Sequence, residues 1–465
     1  MANFVEVNRE QVLLLPPDLR EWVPADDLAH FVIAAVERVD IGAFKVNHRG
    51  AGKPQYHPRM MLALLIYGYA NGVFSSRRLE RASYRDIGVR FVTGDHHPDH
   101  DTIATFRREN LAAFEAAFLQ VLLLAREAGL LRLGAVAIDG TKIDANASKI
   151  RSLRYDRMVA LRAKLAADIA ALTARAEAAD ADDAPDPQAL PEEIARRETL
   201  KAKLDEACAR LEAEAQEAHE AQKQVYEERR AAHQAQSGRK GRPPTPPDEG
   251  PEGFGPPPAG DRQANLTDPD SQLMRKSARH EYRQAYNAQA VVDAEGPQLI
   301  LATNIATTPT DQPTFAETIL SMETTTGLPG TVLADAGFAG RDAVERLKAK
   351  GVEPLVAISA AAPRRPYDFR PPPDPATEAA KRRRTISEPW RIAMKERLES
   401  KEGKAKYRLR KQSVEPVFGI VKAVMGFTRF HLRGLAKVKA EWSLVALAYN
   451  CKRLAKLLAA APRPA

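Results

Sequence analysis

The chain has 465 residues, more than one hydrophobic core usually organises, so we expect several structural units. Its 69 basic and 61 acidic residues leave a net charge of +8, and residues 364–456 are dense in lysine and arginine, which favours a polyanionic partner. Two cysteines without a CxxC pair argue against a zinc site or a disulfide framework and favour a reducing cytoplasm. We expect no signal peptide and no membrane span.

Residues 1–130 predict an all-helical domain, because apolar residues recur at helical spacing in ADDLAHFVIAAVERV, HPRMMLALLIYGYANG and NLAAFEAAFLQVLLLA. Successive short helices ending in TFRR are compatible with a helix-turn-helix-like unit that sets Arg107 and Arg108 against DNA. A helical bundle whose arginines are exposed to solvent is equally compatible with this sequence.

A first strand is predicted at residues 134–144, followed by long helices at 149–235 with leucine and alanine near heptad spacing. That segment predicts an antiparallel helical hairpin or coiled coil, and the Gly/Pro-rich residues 236–265 predict a linker. Strands then resume, with AYNAQAVVDA and PQLILATNIA joined tightly at Glu295-Gly296, followed by GTVLADAG and EPLVAIS. This order predicts a mixed α/β sheet interrupted after its first strand by a helical insertion.

Two aspartates occupy similar places. Asp139 and Asp335 each follow a short apolar strand, and ligands gather where the strands of an α/β sheet end. Either residue alone is more often a turn or cap residue. Asp144, Asp293 and Asp311 have similar local settings, and Asp311 also fits a helix cap.

Glu415 has a basic neighbourhood. Three cations fall on its helical face, namely Arg408, Lys411 and Lys422. The alternative is an ordinary surface ion pair between Glu415 and Lys411. Pro416 disfavours α geometry at the preceding residue, so we expect Glu415 at a kink or a helix start.

Widely spaced carboxylates in a basic chain indicate a metal site that cuts and joins nucleic-acid backbones. Hard divalent cations take oxygen ligands, and Mg²⁺ combines a few carboxylates with water and substrate phosphate. Two such ions can flank a scissile phosphate.

These motifs resemble the DDE transposases of bacterial insertion sequences. AIDGTKIDA, LADAGF and YRLRKQSVEPVFGIVK match the family's three acidic regions in order. YHPRMMLALLIYGYANGVFSSRRLER and DHDTIATFRREN resemble the helical N-terminal domain of one branch, and RGLAKVKAEWSLVALAYNCKRL resembles its usual end. The resemblance covers nearly the whole chain apart from residues 150–260.

The resemblance implies an α/β, ribonuclease-H-like catalytic fold at 131–148 and 266–460, after an N-terminal DNA-binding domain. It implies catalytic, metal-binding roles for Asp139, Asp335 and Glu415, with two Mg²⁺ ions that Mn²⁺ can replace. The family's third motif falls on Tyr407, Arg410, Glu415 and Lys422. Because the Arg-to-Glu spacing is one residue longer here, the arginine role also fits Lys411 or Arg408.

The resemblance further implies cleavage and strand transfer at inverted-repeat ends and target DNA. We expect a homodimer in the active complex and a nucleoid-associated cytoplasmic location, with Arg433 among the DNA contacts. A nuclease of the same fold that cuts without joining is the first alternative. A catalytically inert coiled-coil DNA-binding protein is the second. Asp144 and Glu441 are expected to tolerate substitution.

Overall fold

A computed structural model describes residues 18–46, 54–181, 189–235, 243–248, 256–275, 280–308, 310–358 and 388–460. The chain divides into two compact units, Met1–Asp144 with Tyr286–Ala465, and Ala145–Ala285. The first unit contains both the predicted N-terminal helices and most strands of the main sheet, so a domain boundary near residue 130 stays a prediction. None of the described helices is both long and apolar enough to cross a membrane.

The N-terminal part of the first unit is helical, as the apolar spacing predicts. Its helices are α1 (Leu28–Glu37), α2 (Pro58–Ala70), α3 (Ser76–Arg85), α4 (Ile87–Thr93), α5 (His100–Glu109) and α6 (Leu111–Glu127). Buried residues run without interruption from Met61 to Ala70, so α2 is enclosed on all sides. It packs against the C-terminal helix α13 (Leu435–Ala460), which also contacts α6.

The sheet has the mixed α/β, ribonuclease-H-like arrangement that the sequence predicts. Its strands are β1 (Ala135–Asp144), β4 (Gln272–Met274), β5 (Arg283–Asp293), β6 (Ile300–Ala306), β7 (Thr331–Ala334) and β8 (Glu353–Val356). The order is β4-β5-β1-β7-β8, with β6 also paired to β5. Strand β1 is parallel to β7, and β7 is parallel to β8, whereas β5 pairs antiparallel with both β4 and β6. Strand β7 is buried throughout, which explains its continuous apolar run.

Four helices complete the first unit. They are α9 (Phe315–Leu320), α10 (Arg341–Ala349), α11 (Pro389–Glu399) and α12 (Lys401–Gly419). Helix α12 contacts both β1 and β7, so it lies against the centre of the sheet.

The loop between β5 and β6 is longer than the predicted two-residue turn at Glu295-Gly296. Six residues, 294–299, separate the strands, and the Asp293 N–H donates to the Leu299 carbonyl at 3.0 Å. Asp293 Oδ1 accepts from the Glu295 N–H at 2.8 Å, which shapes the beginning of the loop. Pro297 follows and has no N–H, so it cannot take part in a tight ladder turn.

The second unit contains the predicted helical hairpin, formed by α7 (Tyr155–Ala181) and α8 (Ala189–Ala235). At its base, β2 (Ser152–Arg154) pairs antiparallel with β3 (Gln263–Asn265). Strand β3 therefore occupies the end of the predicted linker, while residues 236–242 and 249–255 lie outside the described residues. The hairpin has a core of its own, made by Met158, Leu165, Leu204, Ala207, Cys208, Leu211 and Ala264.

A buried polar network joins α2 to the C-terminal region. The Glu441 carboxylate accepts from the Tyr69 hydroxyl and from the backbone N–H groups of His431 and Leu432, each at 2.9 Å. Both Glu441 and Tyr69 are fully enclosed. The expectation that Glu441 tolerates substitution is therefore wrong, because three donors depend on this buried carboxylate.

Arg107 belongs to the same network. Its side chain is buried, and Nη1 donates to the Tyr69 hydroxyl at 3.0 Å and to the Phe74 carbonyl at 2.8 Å. The Arg107 guanidinium is enclosed in the core, whereas the sequence predicts it on a surface that contacts DNA. Arg108, the next residue, is exposed.

Replacing Glu441 by alanine should destabilise the protein by roughly 3–5 kcal/mol, because three donors lose their buried acceptor and the buried charge of Arg107 loses the opposite charge near it. Glu402→Ala is the matched control, since Glu402 is exposed and only pairs with Lys406 at 3.6 Å. Its effect should stay within about 0.5 kcal/mol. Urea unfolding of both variants checks this, and equal stabilities would contradict the structural role of Glu441.

Residues 155–262 should be removable. Arg154 and Gln263 are partners in the β2–β3 pair, so an Asn-Gly turn can replace everything between them. Because α7 and α8 have their own core, the shortened chain should still unfold cooperatively. Calorimetry of the purified variant tests this, and insoluble or non-cooperatively unfolding protein would count against an independent insertion.

Candidate active site

The register of two parallel strands brings the two predicted aspartates together. Ala135, Val136 and Ala137 of β1 pair with Thr331, Val332 and Leu333 of β7. The same offset carried two residues further sets Asp139 level with Asp335, on strands that lie roughly 5 Å apart.

The sequence predicts Asp139 at the exit of its strand. The structure places it inside the strand, because β1 continues to Asp144. It lies where burial changes, since the four residues before it are fully buried and Asp139 is only half-buried. Strand β7 ends one residue before Asp335, whose side chain accepts from the Gly337 N–H at 2.8 Å. The longer β1 thus passes the end of β7 and presents Asp139 beside the Asp335 turn.

Helix α12 brings Glu415 to the same place. The Tyr407 hydroxyl donates to the Ala334 carbonyl at 3.1 Å, directly before Asp335. Tyr407 is half-buried, so this contact attaches the helix to the end of β7. The predicted DNA contact of Tyr407 stays a prediction beside this anchoring role.

Pro416 lies inside α12, so Glu415 is within the helix and not at a helix start, which is one of the two places that the sequence predicts for it. The proline cannot donate to the Gln412 carbonyl one turn earlier. Gln298 supplies the missing donor, because its Nε2 contacts that carbonyl at 2.7 Å. Gln298 has a positive φ of 58°, which lies in the left-handed region. The helix then ends in a π-helical turn, Ile420–Val424.

Arg410 lies between two of the carboxylates. Its Nη1 is 3.3 Å from Asp139 Oδ2, and its Nη2 is 3.3 Å from Glu415 Oε1. The Arg410 side chain is only 12% exposed, whereas that of Glu415 is 49% exposed. Of the three candidates for the family's arginine, Arg410 is the one that touches Asp139 and Glu415, and Glu415 pairs with it and not with Lys411, as the alternative would have it.

Lys422 contacts the first strand just beyond Asp139. Its Nζ donates to Thr141 Oγ1 at 2.6 Å and to the Lys142 carbonyl at 2.9 Å. The other predicted DNA contacts of this region are exposed side chains, namely Arg408, Lys411 and Arg433.

The donor chemistry of the site fits a divalent cation. Burial raises the pKa of the Asp139 carboxyl to about 6, while the Gly140 N–H and the charge of Arg410 oppose the shift. The charges of Asp335 and Asp311 raise it further. Carboxylate oxygens that repel one another are suited to a hard cation. In the described part of the chain, no three acidic, histidine or cysteine side chains are already gathered closely enough to hold one ion.

The competing aspartates have different settings. Asp144 is 3.7 Å from Arg429, and Asp293 shapes the β5–β6 loop. Asp311 was expected as a helix cap, but its side chain makes no capping hydrogen bond. It accepts from side-chain amides of β5 and lies beside the acidic residues. Local sequence could not reveal this contact, because the partner amides are 22 and 24 residues earlier.

Two family models match the chain. One, described as a transposase DDE domain, matches residues 261–451, and one described as a transposase domain (DUF772) matches residues 17–109. The chain belongs to the DDE transposases of insertion sequences. No curated protein and no solved structure gives a significant match.

Membership makes the protein a DNA-processing enzyme of a family that typically uses a divalent metal. The DDE match of this transposase contains Asp335 and Glu415 but begins after Asp139. In the sequence, the second unit, residues 145–285, lies between Asp139 and the other two acidic residues. Only the strand order and the register of β1 with β7 bring Asp139 to the other two residues.

Proposed function

We propose that this transposase cuts DNA at the ends of an insertion sequence and joins those ends to target DNA. The proposal rests on the β1–β7 register, which sets Asp139 and Asp335 side by side on neighbouring strands. Arg410 contacts both Asp139 and Glu415 and so links the third acidic residue to this pair. Asp139, Asp335 and Glu415 would hold two Mg²⁺ ions, which Mn²⁺ can replace. The chemistry that such ions supply is activation of a water or 3′-hydroxyl for in-line attack and stabilisation of the leaving oxygen.

Arg410 has two roles in this account. Without bound cations its guanidinium neutralises Asp139 and Glu415, which would otherwise repel each other. When cations bind, the guanidinium has to leave these oxygens, and a neighbouring phosphate is the acceptor that suits its paired donors. Arg410 thus exchanges a carboxylate contact for a substrate contact at the scissile position.

The basic side chains around the site would hold the DNA backbone. Arg408, Lys411 and Arg433 are exposed cations, and Lys422 holds the strand segment directly after Asp139. Arg108 is an exposed cation on the helical part of the first unit, which would bind the inverted-repeat ends. Because two ends must be brought together, the active complex is proposed to be a homodimer.

Asp139→Asn, Asp335→Asn and Glu415→Gln should each lower cleavage of end-containing DNA by roughly 10³-fold or more while DNA binding persists, because each removes a charge from the same phosphoryl-transfer centre. Combining two of them should add little, since one loss already disables the unit. Ca²⁺ should support binding but poor cleavage, because its bonds are longer and its geometry looser.

The controls are Asp342→Asn and Glu402→Gln, which change exposed carboxylates on α10 and α12. Both should cut normally. Near-normal cutting by Glu415→Gln would show that another residue is the third ligand. The same reactions carried out with labelled target DNA separate the two activities, because a nuclease would release ends without joined product.

DNA affinity should fall steeply with salt, because phosphate contacts release counterions. Arg408→Ala and Arg433→Ala should each reduce the slope of log K against log salt by about 0.9. Lys350→Ala is the control, since its ammonium pairs with Glu323 at 3.0 Å. Fluorescence anisotropy over a salt series measures this, and a salt-insensitive affinity would contradict the basic DNA surface.

A further inference from the structure

Asp311 is held in a fixed position at the edge of the sheet. Its Oδ1 accepts from Asn287 Nδ2 at 2.6 Å and from Gln289 Nε2 at 3.0 Å. Both amides are fully buried on β5. The Thr314 hydroxyl donates to Gln289 Oε1 at 2.9 Å and thereby orients that amide towards Asp311. A carboxylate held by two buried amides of another strand is specified by tertiary structure and has no role in capping the next helix.

The Asp311 carboxylate lies between the strand segment that follows Asp139 and the turn that follows Asp335. A Cβ on Gly140, the residue after Asp139, would collide with Asp311 Oδ1. A Cβ on Gly337 would lie 3.0 Å from Asp335 Oδ1 and 3.5 Å from Asp311 Oδ2. Asp311 Oδ1 therefore lies against β1 beside Gly140. Asp311 Oδ2 and Asp335 Oδ1 both lie close to Gly337.

Asn287 provides an independent indication of a ligand. Its Oδ1 is buried and has no hydrogen-bond donor among the described residues. That oxygen would be 2.7 Å from a Cβ on Gly140, so it is directed at the part of β1 that follows Asp139. A buried acceptor without a partner is costly, and a carbonyl oxygen beside carboxylates is a suitable ligand for a hard cation.

We propose that Asp311 is a fourth carboxylate of the metal centre, where it ligates a divalent cation together with Asp335 while Asn287 Oδ1 supplies a further oxygen. The inference rests on the proposed function, since it extends the same centre. When no cation is bound, the negative charges of Asp311 and Asp335 repel each other and keep the two carboxylates apart. A bound cation would attract both of them. Glycine at 140 leaves open the space beside the oxygens of Asp311 and Asn287, which a side chain there would displace.

The test is Mn²⁺ binding to the full chain without DNA, followed by electron paramagnetic resonance of the unbound ion. Asp311→Asn keeps an oxygen acceptor for the β5 amides but removes the charge. We expect it to weaken Mn²⁺ binding by about 10–100-fold, in the range found when metal-site partners are lost. Asp342→Asn, an exposed carboxylate beyond Asp335, should bind Mn²⁺ as the wild type does.

Asp311→Cys provides a second measurement, in which the expected result is a gain of Cd²⁺ binding and not a loss of Mn²⁺ binding. A thiolate prefers softer ions, so this variant should bind Mn²⁺ weakly and Cd²⁺ at least about tenfold more tightly than the wild type. A thiolate-to-Cd²⁺ charge-transfer absorption should appear on titration. The wild type is the baseline, since its cysteines, Cys208 and Cys451, are buried. A residue that merely supports its neighbours would give no such absorption.

The outcomes separate the two proposals. Unchanged Mn²⁺ binding in Asp311→Asn, with loss in Asp139→Asn and Asp335→Asn, would overturn the fourth ligand and leave the proposed function intact. Wild-type Mn²⁺ binding in all three variants would refute the cation centre itself. Absence of the Cd²⁺ absorption in a folded Asp311→Cys protein would also overturn the role of Asp311.

Discussion

Parallel pairing between β1 and β7 is the constraint on which the rest of the site depends. Side chains alternate along a strand, so a slip of one residue would turn Asp139 to the opposite face of the sheet. The apolar residues Val136 and Val332, paired and fully buried, hold the register that sets Asp139 level with Asp335. The core of the sheet thus determines the spacing of the two acids, although neither acid contributes to that core.

The third acid depends on a separate set of contacts. Helix α12 is attached to the end of β7 by Tyr407 and to the β5–β6 loop by Gln298, one contact on each side of Arg410. The second contact satisfies the carbonyl that Pro416 leaves without a helical donor. Glu415 therefore approaches the sheet on a helix that is held from two neighbouring elements, and its half-exposed side chain keeps the freedom to move when Arg410 leaves it.

Much of this arrangement could be predicted from the sequence, because strand ends, apolar runs and the helical insertion leave local patterns. Asp139 and Asp335 follow apolar runs, and the structure sets them level on neighbouring strands, with Arg410 contacting both Asp139 and Glu415. The role of Asp311 could not be predicted, because its threonine- and proline-rich surroundings look like a helix start and its partners are on β5. Arg107 was misjudged for a similar reason, since an arginine pair at a helix end gives no sign that one member is buried. Glu441 did leave a signal: a lone carboxylate inside the apolar run AEWSLVALAYN is costly unless it is paired.

We propose that Asp139 and Asp335 share bound cations and that Arg410 leaves the carboxylates when these ions bind. Anomalous scattering from crystals grown with Mn²⁺ and end-containing DNA would reveal both features at once. We expect a manganese peak about 2.1 Å from oxygens of both aspartates, with Arg410 turned to a phosphate. Manganese that contacts neither aspartate, or Arg410 still bonded to Asp139 and Glu415 in the DNA complex, would contradict it.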